Sequence, residues 1–133
     1  MKGYLEELRR TVAAVKATNN PAFGSTGVRL SDAVDSLDRA TTWLLGKLDN
    51  APEAALAGAT PYLRLFASAA GGCALAEDAL AESRLNGAVN GGGRVALARF
   101  FAENIAVQAG ALETTVTEGA DSVSNIALPG AAA

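Results

Sequence analysis

The chain has 133 residues, which fits one domain able to bury a hydrophobic core without metal or disulfide staples. Half the residues are hydrophobic, but thirty are alanines and only seven are aromatic, a balance that favours closely packed helices and predicts an all-α fold. The net charge of -3 is spread over interspersed acids and bases, and there is no histidine and one cysteine, Cys73; this excludes a broad basic surface for nucleic acid or anionic lipid, an intrachain disulfide and the ordinary transition-metal ligand sets.

The first predicted helix carries Leu5, Leu8, Val12 and Val15 on one side and Glu6, Glu7, Arg9, Arg10 and Lys16 on the other. Its acids and the lack of a central apolar run exclude a secretory signal or a membrane span, so a soluble chain in the reducing cytoplasm is expected. Thr18-Asn19-Asn20-Pro21 stops this helix, because proline disfavours helical geometry in the residue before it, and Gly24-Ser25-Thr26-Gly27 extends the break.

Ser31 is the predicted cap of the second helix, with Asp32 and Asp35 in its first turn. Leu30, Val34, Leu37, Thr41, Leu44 and Leu48 then form a four-and-three stripe, with Trp43 on its flank, until Asn50-Ala51-Pro52. A short helical turn over Glu53 to Ala57 follows, and Gly58 with Pro61 marks a second start or a kink.

The third long helix reads Tyr62, Phe66, Ala69, Cys73, Ala76 and Leu80, widened by Leu63, Ala67, Ala70 and Ala74. It is apolar nearly all round until Glu77, which predicts a central helix with protein on both sides of its first half. Asn86-Gly87 and Asn90-Gly91-Gly92-Gly93 form a connection. A single fourth helix from Arg94 to Asn125, about 45 Å long, is expected to turn Ala98, Phe101, Ile105, Leu112, Val116 and Val123 to the core. Together these segments predict an up-down four-helix bundle over 1–125 and a flexible tail over 126–133.

Chemistry is sparse. A serine or cysteine nucleophile lacks an imidazole base, and the neighbouring Glu77 and Asp78 diverge by about 100° on a helix, too far apart to share a proton. Glu53 and Glu103 read as solvated charges, so no catalytic and no metal-binding residue is assigned, and no cofactor-binding residue is identified. Gly91-Gly92-Gly93 before Arg94 lacks the preceding strand and the lysine of a phosphate-binding loop and reads as a connector.

Gly71 and Gly72 inside a helix each cost about 1 kcal/mol relative to alanine, which close approach of another helix or of a ligand offsets. Tyr62, Phe66, Phe100 and Phe101 are the aromatic candidates to line a docking surface or a narrow ligand slot there. Arg64 and Arg99 are the candidates to meet a carboxylate or phosphate, the alternative being an ordinary ion pair.

Ala40-Thr41-Thr42-Trp43-Leu44, the run from Ala57 to Gly72, Arg99-Phe100-Phe101-Ala102-Glu103-Asn104 and Val116-Thr117-Glu118-Gly119-Ala120-Asp121 occur in that order. In order and spacing they resemble the C-terminal helical domain of the acyl-CoA dehydrogenase family, in the acetyl-CoA dehydrogenase-like and methylmercaptopropionyl-CoA dehydrogenase-like branch. One departure is Cys73, where that family more often has a bulky aromatic, so looser packing is expected there.

The resemblance implies an accessory domain that follows and packs on the catalytic body, helping to set subunit arrangement. It implies FAD in the full enzyme, where preceding domains hold the flavin and supply the carboxylate that removes an α-proton. This chain is expected to hold no cofactor and to perform no catalysis alone. Its expected partners are the dehydrogenase catalytic domains, in the same chain or another, and a homodimer that hides an apolar face; nucleic acid and membrane insertion are not expected. It is expected to be either an excised piece or a small protein acting alone. The rival reading is a stand-alone helical module that binds an acyl or other apolar ligand at Gly71-Gly72.

Overall fold

A computed structural model describes residues 1–86 and 92–124, and every regular element among them is helical. The tail expected over 126–133 and the Gly87–Gly91 part of the glycine-rich connection lie outside the described residues.

Helix α1 (Lys2–Ala17) buries Leu5, Leu8, Val12 and Val15, the stripe its spacing predicts. After it, the Asn20 side chain accepts the Ala22 N–H at 3.0 Å and opens a 3₁₀ turn, Pro21–Phe23, that buries Phe23. Proline suits the first position of such a turn because no partner is needed for its missing N–H.

Helix α2 (Thr26–Asn50) starts more than a turn before the predicted cap at Ser31, so Ser31, Asp32 and Asp35 lie inside it. Long-range partners account for the difference. Ser25, the residue before the helix, gives its N–H and hydroxyl to Glu103 rather than capping α2, and buried Thr26 donates its hydroxyl to the Phe23 carbonyl. The close pass of the Lys16 side chain over buried Gly27 favours glycine in this first turn.

Helix α3 (Pro52–Ala57) is the short turn expected after Asn50-Ala51-Pro52. Helix α4 (Ala59–Asn86) restarts directly after Gly58 and is the central element, touching α1, α2, α3, α5 and the segment after α5. Its buried seam is Leu65, Ser68, Ala69, Cys73, Ala76, Ala79 and Leu80, with Tyr62 and Phe66 only half-buried. The expectation of protein on both sides of its first half is corrected, since Leu63 is 67% exposed and Ala67 and Ala74 face solvent. Uniform apolarity concealed which face was the outer one.

The expected single fourth helix is divided into α5 (Gly92–Asn104), a 3₁₀ turn (Ala106–Gln108), α6 (Ala109–Glu118) and α7 (Ala120–Ser124). Two side chains account for the first break. Asn104 Nδ2 donates to the Phe100 carbonyl at 2.9 Å, and Gln108 Nε2 takes the Asn104 carbonyl at 3.1 Å, while the Gln108 backbone N–H turns to Ile105. Carbonyls satisfied by side chains release the backbone from the helical ladder. The break also re-aims the stripe: Ala98, Ala102, Ala106, Ala109 and Val116 are buried, whereas Ile105 and Val123, both predicted to face the core, are exposed.

Contacts set the directions of neighbours. Arg9 reaches Asp35 and Asp38 while Lys16 crosses Gly27, so α1 and α2 run antiparallel. Thr41 meets Tyr62 and Leu30 meets Gly72, so α2 and α4 are antiparallel. Phe101 lies on Gly71 and Gly72 while Glu82 takes the Arg94 N–H, which makes α4 and α5 antiparallel as well. Arg39 closes α6 onto α2 with 2.9 and 2.8 Å hydrogen bonds to Glu113.

Candidate functional site

Gly71 and Gly72 lie where three helices converge. A Cβ on Gly72 would stand 2.5 Å from Leu30 Cδ2 and 3.4 Å from the Phe101 ring, whereas one on Gly71 would stand at 3.6 Å from Phe101. The glycines therefore admit Leu30 from α2 and Phe101 from α5. The close approach that offsets their helical cost is interhelical.

The other candidate residues disperse around this point. The Tyr62 hydroxyl shares a 2.8 Å hydrogen bond with Thr41 Oγ1 and secures α4 to α2. Phe66 stacks on Tyr4 with ring centroids 5.7 Å apart, an α4 to α1 contact. Arg64 is exposed and takes none of the ion pairs formed among the described residues. Phe100 is exposed on α5, one residue from the half-buried Phe101. Of the eight residues, only Gly71, Gly72 and Phe101 are drawn into one contact.

Arg99 donates from Nε to both Glu103 oxygens at 3.1 Å. That carboxylate also accepts the Ser25 N–H at 3.1 Å and the Ser25 hydroxyl at 2.9 Å, and these bonds hold Glu103 below the usual carboxylate range. Gly24 passes under this pair with φ +52, a left-handed conformation suited to glycine. Arg99, Phe100, Glu103 and Ala22 border an open cleft of about 320 Å³. With Glu103 satisfied by three donors and Arg99 facing it, the arrangement ties α5 to the start of α2 and presents no free base.

Cys73 is fully buried, its thiol 3.9 Å from the Leu8 carbonyl and pushed up to about 12, first by burial and then by Glu77. Such a thiol is a packing group rather than a nucleophile. Among the described residues no group of three or more His, Cys, Asp or Glu side chains is placed to hold a metal, and no helix is long and apolar enough to cross a membrane. The glycine notch does not fit a flavin ring or an acyl chain, because Leu30 and Phe101 fill it.

Sequence reasoning expected an apolar face but did not say which apolar side chains are exposed. At the end of α2 the core stripe outruns the packing: Leu37 and Thr41 are buried, whereas Leu45 and Leu48 are exposed, with exposed Leu56 on α3. Leu63, Leu97 and Ile105 form further exposed positions along α4 and α5. The one available signal was the length of the α2 stripe, which continues for two turns past its last buried residue.

A family model described as acetyl-CoA dehydrogenase C-terminal like matches residues 4–127. No curated protein and no solved structure matches the chain.

Proposed function

Because the chain belongs to the acetyl-CoA dehydrogenase C-terminal-like family, we propose that it is the accessory C-terminal domain of an FAD-dependent acyl-CoA dehydrogenase. In this reading it packs on the catalytic body, supports subunit or active-site assembly, and does not catalyse by itself. FAD belongs to the full enzyme, and the setting is cytoplasmic fatty-acid metabolism. The arrangement is an up-down bundle of α1, α2, α4 and a broken fourth rod.

The observation that carries the reading is the end of α2 and α3, where Leu45, Leu48 and Leu56 are exposed among the described residues. Clustered exposed apolar side chains support a surface that meets a protein partner. The start of α1 lies at this same end, since Tyr4 stacks on Phe66 a turn from the Tyr62–Thr41 bond. A body preceding the domain would join it there. The rival ligand-binding reading depended on a slot at Gly71-Gly72, and Leu30 and Phe101 occupy that space.

The test is co-elution with the FAD-loaded body of an acyl-CoA dehydrogenase of this branch. The expected result is a complex that Leu48→Asp and Leu56→Asp weaken while the helical content is unchanged. Stoichiometric flavin uptake by the isolated chain, or dehydrogenation by it alone, would overturn the reading.

A further inference from the structure

Helix α2 and the α6–α7 segment meet through two rows of side chains at four-residue spacing, Arg39, Trp43 and Lys47 on one and Glu113, Thr117 and Asp121 on the other. The two run parallel, since Arg39 bonds Glu113 while Trp43 and Lys47 share a cleft with Thr117, Glu118 and Asp121. Arg39 takes both Glu113 oxygens and closes the first rung. Past it lies the cleft, about 430 Å³ in volume, with Ala54 of α3 on its wall.

The charges bordering this cleft do not close on one another. Lys47 on α2 and Glu118 and Asp121 opposite take none of the ion pairs formed among the described residues. Lys47 instead holds its ammonium 5.8 Å from the centroid of the Trp43 ring, near the outer edge of a cation–π contact, so the indole face is one that takes a cation. The Thr117 hydroxyl donates to the Glu113 carbonyl at 3.1 Å, which leaves it only acceptor capacity toward the cleft.

One ammonium, two carboxylates and an indole call for a ligand with one carboxylate and two cationic groups. A free α-amino acid with a basic side chain carries that set: its carboxylate meets Lys47, and its α-ammonium and side-chain cation meet Glu118 and Asp121. A guanidinium is the better side-chain group, because its flat fork pairs with a carboxylate while its face stacks on an aromatic ring. The volume is in the range of small-molecule sites. We propose that this cleft binds a free arginine-type amino acid, with Trp43 as its platform. Trp43 and Lys47 each lie two residues from Leu45, about 200° around α2, so the site is on the opposite side of that helix from Leu45 and goes beyond the accessory-domain reading.

Trp43 is the single tryptophan of the chain, so its fluorescence and its indole N–H resonance report on this cleft. The full chain is titrated with L-arginine at constant ionic strength, with circular dichroism to verify that each variant folds. The expected result is a saturable change with half-saturation at about 1 mM, the scale of a few exposed ion pairs. Agmatine, which lacks the carboxylate, and citrulline, whose side chain is uncharged, should each bind about fivefold more weakly. Lys47→Gln should bring arginine down to the level of agmatine, and Asp121→Asn should weaken both about fivefold. A response that does not saturate, or indifference to Lys47→Gln and Asp121→Asn, would overturn the proposal. Agmatine binding as tightly as arginine would also overturn it, and would assign the cleft to a guanidinium on a partner's side chain. None of these outcomes bears on docking through Leu48 and Leu56.

Discussion

Leu30 on α2 fills the space that a side chain at residue 72 would need: a Cβ built on Gly72 would lie 2.5 Å from Leu30 Cδ2. Leu30 is fully buried, so it has little room to yield. The neighbouring Gly71 meets only an ordinary van der Waals contact, at 3.6 Å from Phe101. Overpacking costs about 1–3 kcal/mol, against which alanine recovers about 1 kcal/mol of helix propensity. Gly72→Ala is therefore expected to destabilise by about 1 kcal/mol net, and Gly71→Ala to stabilise by about 0.5 kcal/mol. Urea unfolding separates the two; equal shifts would show that Leu30 relaxes freely.

Gly24 holds φ +52 beneath the Arg99–Glu103 pair. An alanine there adds backbone strain and collides with the Arg99 guanidinium. Gly24→Ala is expected to cost about 1–3 kcal/mol, seen as a lower thermal midpoint. An unchanged midpoint would mean that the turn before α2 rearranges at no cost.

Acid sensitivity follows from Glu103 and Glu113. Hydrogen bonds from Ser25 and then Arg99 lower the first, and the Arg39 hydrogen bonds lower the second against the opposing effect of partial burial. A carboxylate whose pKa is depressed in the folded state lends stability that is fully present above its unfolded value and is lost as pH falls through the folded one. Urea midpoints should change little between about pH 6 and 8, where the absence of histidine removes the usual titration. They should decline as pH drops below the ordinary value of 4.5. Glu113→Gln should make that decline shallower, and an unaltered slope would show that the Arg39 pair contributes nothing.

Cys73 is expected to resist thiol reagents in the folded protein and to react once the chain unfolds, because its thiol is buried and pushed up to about 12. Its modification rate should therefore track opening of the fold as denaturant rises. Rapid labelling in native buffer would show looser packing against α1.

The local readings from sequence held where the determining residues are neighbours. The stripe of α1, the stop at Asn50-Ala51-Pro52, the short helix after it and the central position of α4 followed from period, propensity and breakers, and the family placement from the resemblance of four ordered segments. An all-helical class was legible from alanine content for the same reason.

The tertiary structure alone decided where α2 begins and which apolar side chains remain outside. Ser25 does not cap its own helix, because Glu103, 78 residues away, takes its N–H and hydroxyl. Ile105 fitted the predicted stripe only while the helix was assumed continuous; once Asn104 and Gln108 turn the chain, it faces out. Likewise, the periodicity of α4 does not tell Leu63 from Leu65, yet one is exposed and the other fully buried. The sequence determined what each segment is, since helix formation is set within a turn or two. Only the packed structure decided what each face meets, since that depends on partners brought in from distant parts of the chain.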